Sequence, residues 1–244
     1  MGIPSLTVTN VPGSTLSREA TYTMLLHAGP EIAVASTKAY TAQIAALAFL
    51  AKAVGEANGK KEALEFDLVH ELSIVAQSIE ATLSEKDMIS EKVENLLATT
   101  RNAFYIGRGN DYYVAMEASL KLKEISYIQC EGFAAGELKH GTIALIYEGQ
   151  PVIALCCNDA VMEKTMSNIV EVKARGAEVL AVAFKGNGKI VSLADDMIFV
   201  PKIDPLLCAV AEIVPLQLLA YYVAKENGCD IDKPKNLAKS VTVE

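Results

Sequence analysis

The feature that most constrains this chain is a repeated switch of hydrophobic period between residues 100 and 226. "NAFYIGRGND" is an apolar run that enters a glycine turn, and a helical pattern follows over about residues 112–127. "PVIALCCND" is a second run, with Asn158 or Asp159 expected to cap a helix reaching about Arg175. Gly176 should end that helix, "EVLAVAF" and "DMIFVP" supply two more strands, and a long apolar helix covers about residues 206–226. Strands that are apolar throughout, rather than alternating, need cover on both faces, and strands separated by helices pair in parallel. The pattern predicts a doubly wound α/β unit: a parallel sheet with helices on both faces.

The front of the chain is less complete. "IPSLTVTNV" and "TYTMLL" read as strands, with "PGSTLSREA" between them as a turn containing a possible cap. An Ala-rich helix over about residues 38–53 follows, then two charged amphipathic helices near residues 62–84 and 86–98. Two strands make a poor sheet. The expected division is therefore residues 1–98 as the later part of a first α/β domain with connecting helices, residues 99–231 as a second domain, and residues 232–244 as a tail. The alternative is that residues 1–98 are an extension packed on one domain.

Composition excludes several functions. With 244 residues, 51% of them hydrophobic, the chain can bury a sizeable core. A net charge of −8 without any basic run disfavours nucleic acid and anionic membrane surfaces. The five cysteines are odd in number and form no CxxC pair, which points to reduced thiols in a cytoplasmic setting and to no zinc site. "MGIPSLTVTN" lacks the pattern of a signal peptide. Glu212 and Pro215 interrupt the longest apolar segment, so no membrane-spanning helix is expected.

The stretch richest in chemistry is "MEASLKLKEISYIQCEGFAAGELKHG". Glu117, Lys121 and Glu124 lie three and four residues apart and share one face of a helix. On spacing alone this is an exposed ion-pair ladder. Position argues for more, because the helix starts at the carboxyl end of a strand, where open α/β sheets bind ligands. A carboxylate beside an ammonium can act as a base while the lysine holds an oxyanion. His140 ends a short helical run before Gly141 and should be reachable by solvent; capping or plain surface exposure is its bland alternative. "IAVASTKAY" places Ser36 or Thr37 at a helix start, as a plain cap or as a holder of ligand oxygens through hydroxyl and free amides. "GRGND" is an incomplete dinucleotide fingerprint, with Asp111 where a pyrophosphate would need positive potential. The closing "KNLAKSVTVE" is too rich in β-branched residues for a solvated tail.

Taken together, "REATYTMLLHAGPEIAVASTKAYTAQ", "GRGNDYYVAMEASLKLKEISYI", "GELKHG", "VPLQLLAYYVA" and "NLAKSVTVE" resemble the isomerase half of the glucosamine-6-phosphate synthase family. These are the isomerizing glutamine–fructose-6-phosphate aminotransferases, built of a glutaminase domain and two sugar-isomerase (SIS) domains. The resemblance runs from about residue 3 to residue 244. It implies the SIS fold with the first domain incomplete, and conversion of fructose 6-phosphate and ammonia to glucosamine 6-phosphate without a cofactor. It also implies a homodimer, and a glutaminase domain and a Ser/Thr-rich phosphate loop that this chain lacks.

The same resemblance implies roles for particular residues. Lys239, on a tail that folds over the sugar, opens the ring and engages the carbonyl, while Val241 and Val243 anchor that tail. Glu124 moves the proton between carbons 1 and 2, with Lys121 near the enolamine oxygen. His140 is an acid or base for ring opening, acting on the adjacent subunit's site. Ser36 and Val34 line the sugar pocket and Ala238 offers a backbone contact. Thr142 stands where the family commonly has Pro after the His-Gly pair, which loosens the expected hold on His140. Without the phosphate loop the chain alone should bind and turn over sugar poorly. A non-catalytic sugar-phosphate-binding module is the alternative; it has no need of a base or a reactive amine.

Overall fold

A computed structural model describes residues 2–239. Strands β1 (Leu6–Thr9) and β2 (Tyr22–Leu25) pair in parallel around the short helix α1 (Thr15–Glu19), forming a two-stranded sheet. Ser14 caps α1 by accepting a hydrogen bond from the Ser17 N–H. Helices α2 (Lys38–Ala57), α3 (Lys61–Glu65), α4 (Leu68–Ser84) and α5 (Lys86–Leu96) follow. The helix expected near residues 62–84 is thus two pieces. Phe66 and Asp67 leave helical geometry, and the Asp67 carboxylate restarts the chain by accepting from the His70 N–H at 3.1 Å.

Residues from 102 onward form a five-stranded parallel sheet: β3 (Asn102–Gly107), β4 (Gln129–Ala134), β5 (Pro151–Cys156), β6 (Glu178–Phe184) and β7 (Asp196–Val200), in the spatial order β4-β3-β5-β6-β7. The order reverses between β3 and β5. Helix α6 (Asn110–Ser126) connects β3 to β4, α7 (Met162–Lys173) connects β5 to β6, the short α8 (Gly188–Val191) lies before β7, and α9 (Cys208–Glu226) closes the unit. The continuous apolar runs are explained by two cores. Tyr105, Ile153, Leu155, Leu180 and Val182 face one core with α6 and α9, while Phe104, Ile106, Val152, Ala154 and Val179 face the other with α7. Alternate side chains of a strand point to opposite faces, so a sheet covered on both faces needs apolar residues at every position.

Two features differ from the sequence reading. Strand β4 was not foreseen: it is a short edge strand interrupted by Glu131 and Gly132, and it owes its place to tertiary packing. A Cβ on Gly132 would lie 2.8 Å from the Met116 Cα of α6, so the helix settles on this strand only because the glycine is bare. Neither Asn158 nor Asp159 caps α7. Asn158 Oδ1 accepts from the Ala160 N–H at 3.2 Å in a local turn, Asp159 pairs with Lys202 at 2.6 Å, and Val161 takes the cap position. Helix α9, 19 residues long, is apolar enough by length and composition alone to cross a membrane, but the expectation that it does not span one agrees with its burial. Its apolar character is used inside the fold, where it packs against α4, α5 and α6 and is mostly buried.

Candidate active site

Helix α6 grows out of the carboxyl end of β3. Gly107 permits the close turn, since a Cβ there would lie 2.5 Å from the Asp111 backbone carbonyl carbon, and Gly109 adopts φ +59° to enter the helix. Asp111, in the first turn, is fully buried, and its Oδ2 accepts from the Cys157 N–H at 3.0 Å and the Asn158 N–H at 3.2 Å. The Asp111 carboxylate therefore bridges the carboxyl ends of β3 and β5, where the strand order reverses and such sheets usually bind ligands. Burial pushes Asp111 up to about 6 against the lowering effect of those two amides. Glu212 of α9 is also fully buried and is raised well above the usual carboxylate range, first by burial and then by Asp111.

Nearly three turns along α6, Lys121 lies between two carboxylates, with its Nζ 2.7 Å from Glu124 Oε2 and 3.5 Å from Glu117 Oε1. Lys121 is only 4% exposed, so its ammonium is held inside the fold between two half-buried carboxylates and is not part of a solvated ladder. Burial raises Glu117, Lys121 lowers it, and the Glu124 charge raises it again; the net displacement is upward. Tyr40 of α2, packed against the core that α6 and α9 share, is pushed up to about 12 by burial and then by the charges of Glu117 and Glu212. Lys121 and Glu124 are thus held as a pair, in the form an acid–base couple requires.

A second cluster forms where the tail meets the start of α2. The Val34 N–H donates to the Asp232 carbonyl at 2.9 Å, which docks the tail. Farther along, Lys239 Nζ donates to the Val34 carbonyl at 3.2 Å and lies 3.7 Å from Glu31 Oε2. Val34, Ser36 and Lys239 are thus brought to one place, and Ala238 is the exposed residue just before that amine. The cluster borders a cleft of about 850 Å³ whose wall includes Asn10, Leu25, His27, Glu31 and Lys239. This cleft opens at the carboxyl ends of β1 and β2. Asn10 shapes it by accepting from the Ala28 N–H at 3.0 Å and donating to the Gly29 carbonyl at 2.7 Å.

The start of α2 departs from expectation. Its amides are not free: Glu31 Oε1 accepts from the Thr37 N–H at 2.8 Å and the Ala39 N–H at 3.4 Å, while Thr37 makes no side-chain cap bond. Glu31 is the residue that sequence reasoning missed. It precedes the helix by seven positions, outside the usual capping window, and only the turn through "PEIAVAST" returns it to the helix end. Burial works to raise Glu31, but the two amide bonds, Lys239 and the Ser36 hydroxyl outweigh it and hold the carboxyl below its ordinary range.

Among the described residues no ion pair or hydrogen bond joins Lys239 to Glu124 or Lys121. His140 ends the 3₁₀ turn Leu138–His140, exposed as expected, and has no hydrogen bond or ion pair to the other candidates among the described residues. Val241 and Val243 lie outside the described residues. No group of three or more His, Cys, Asp or Glu side chains is arranged to hold a metal among the described residues.

Known proteins place this geometry in context. The chain is 74% identical over 245 aligned residues to the isomerizing glutamine–fructose-6-phosphate aminotransferase of Streptococcus pyogenes serotype M6, and 73% identical to that of Streptococcus mutans serotype c. All of this chain is aligned in both, but it spans only 40% of their length. The solved C-terminal domain of glucosamine-fructose-6-phosphate aminotransferase from Francisella tularensis superposes with a TM-score of 0.88 at 33% identity, covering 95% of this chain and 65% of that one. Glucosamine-6-phosphate deaminase from Thermotoga maritima shares the fold at 23% identity, with a TM-score of 0.76, covering 98% of this chain and 66% of that one. The SIS-domain profile matches residues 1–53 and 96–225. The chain belongs to the SIS-domain family.

Proposed function

We propose that this chain is the sugar-isomerising portion of a glutamine–fructose-6-phosphate aminotransferase, acting in the cytoplasm on fructose 6-phosphate and ammonia to give glucosamine 6-phosphate. The observation that carries the reading is the return of the tail amine, Lys239, to the Val34 carbonyl beside the cleft at the ends of β1 and β2. In this reading residues 1–98 complete a first sugar-isomerase domain, residues 99–231 form the second, and residues 232–244 are the active-site tail. The phosphate anchor and the glutaminase belong to the rest of the enzyme, and a second copy of the chain brings His140 to its neighbour's site.

The chemistry follows from the residue types. His140 transfers the proton that lets the sugar ring open to a C2 ketone. The Lys239 amine adds to C2 and the carbonyl oxygen leaves as water, giving an imine. Ammonia then takes the place of the lysine nitrogen at C2, which frees Lys239. Glu124 removes a proton from C1 and returns it to C2, while the O1 hydroxyl proton passes to the C2 imine nitrogen, so that O1 becomes the aldehyde oxygen and the nitrogen an amine. Lys121, 2.7 Å from Glu124, supplies positive charge for the enolamine oxygen as charge develops there. Ser36, Val34 and the Ala238 backbone hold the sugar hydroxyls.

The test is reductive trapping. Borohydride added to the intact enzyme with fructose 6-phosphate should leave a sugar adduct on the peptide containing Lys239. Lys239→Arg should abolish both adduct and glucosamine 6-phosphate while leaving the fold unchanged, because arginine keeps the charge but forms no imine. Normal turnover of that variant would overturn the reading.

A further inference from the structure

Glu31 joins two parts of the molecule that the chain itself does not connect. One oxygen of its carboxylate closes the amino end of α2 through the Thr37 and Ala39 amides, and the other faces the tail amine of Lys239. The Glu31 side chain is 14% exposed, whereas that of Lys239 is 46% exposed, so the carboxylate is the fixed partner and the lysine the docked one. Between them runs the backbone of Val34, whose N–H holds Asp232 of the tail and whose carbonyl accepts from Lys239.

We infer that Glu31 is the positioning residue of the Lys239 site: a single carboxylate sets the loop that lines the cleft and holds the tail amine over it. The inference deepens the function proposed above and rests on it for the role of Lys239. It needs no new chemical step, since Glu31 fixes where the amine waits and not how it reacts. Two features support the assignment. The carboxyl is held below its ordinary range by the amides and by Lys239, so the charge that both contacts need is present at neutral pH. The loop from Gly29 to Thr37 also contains Val34 and Ser36, so displacing Glu31 displaces both.

Glu31→Gln and Glu31→Ala separate the two duties. Glutamine keeps an oxygen for the Thr37 amide but has no charge for Lys239; alanine loses both. In this chain, hydrogen exchange at the Thr37 amide should be unchanged in E31Q and about fivefold faster in E31A, the scale of a lost helix cap. Tryptic cleavage after Lys239 should be about two- to fivefold faster in both variants, the scale of an exposed ion pair. In the intact enzyme, E31Q should slow borohydride trapping at Lys239 and lower kcat with KM nearly unchanged, a result that a purely structural cap would not give. E31Q matching wild type in cleavage and trapping would overturn the inference. Absence of any adduct on wild-type Lys239 would instead sink the proposed function, and the cleavage rates would then decide Glu31 alone.

Discussion

The backbone N–H of Lys235 donates to the Tyr127 phenol at 2.8 Å, and the Lys235 ammonium sits 4.2 Å from the centroid of the same ring. Tyr127 is the left-handed C-cap of α6, with φ +63°, three residues beyond Glu124. The tail that carries Lys239 is therefore pinned to the helix that carries Glu124 and Lys121. Tyr127→Phe keeps the ring and removes the acceptor, so the Lys235 amide should exchange about fivefold faster, matching a hydrogen bond worth about 1 kcal/mol. Tyr127→Ala also loses the cation–π contact, worth about 0.5–1 kcal/mol at an exposed site, and should exchange faster still. Equal rates in wild type and Tyr127→Ala would show that the clamp does not hold the tail.

Lys121 is expected to matter for stability as well as chemistry. Lys121→Met would leave Glu117 and Glu124 facing each other without their shared cation, at a cost of about 3 kcal/mol, the low end for breaking a buried pair because both acids keep some solvent contact. Glu117→Gln and Glu124→Gln added to that variant should recover much of the loss. Urea denaturation midpoints check both statements, and an unshifted midpoint for Lys121→Met refutes the first.

The buried acids Asp111 and Glu212 predict an unusual response to pH. Asp111 is raised to about 6 in the folded chain, so between about pH 4, its ordinary range, and pH 6 the native state keeps a proton that the unfolded chain has released. Its contribution is fully present below that window and is lost as pH rises through it. Glu212, raised further by burial, continues the decline above it. Both Glu212 oxygens lack a hydrogen-bond partner, so Glu212→Leu should raise stability at pH 7.5 by about 1–3 kcal/mol and much less at pH 4. Melting temperatures across pH 4–8 test this; parallel curves for variant and wild type would contradict it.

Gly132 gives a packing test. Gly132→Ala places a methyl 2.8 Å from the Met116 backbone and should cost about 1–3 kcal/mol. Gly188→Ala, where the added methyl meets nothing within 4 Å, should be close to neutral. Chemical denaturation of the pair compares them directly, and a neutral Gly132→Ala would mean that α6 and β4 are not in close contact.

The sequence by itself determined the α/β class, the parallel sheet and most helix positions, because hydrophobic period and glycine turns are local signals that survive without knowledge of distant neighbours. It also marked Lys121, Glu124, Val34, Ser36 and Lys239 by motif. Tertiary structure alone decided what those residues meet. The spacing of Glu117, Lys121 and Glu124 is the same on a solvated face as on a packed one, and only the fold around α6 buried Lys121. Lys239 and Val34 are 205 positions apart, and no local pattern records their contact. Glu31 and β4 escaped notice for the same reason: a remote carboxylate becomes a cap, and a weak strand becomes regular, only when folding brings a partner within a few ångströms.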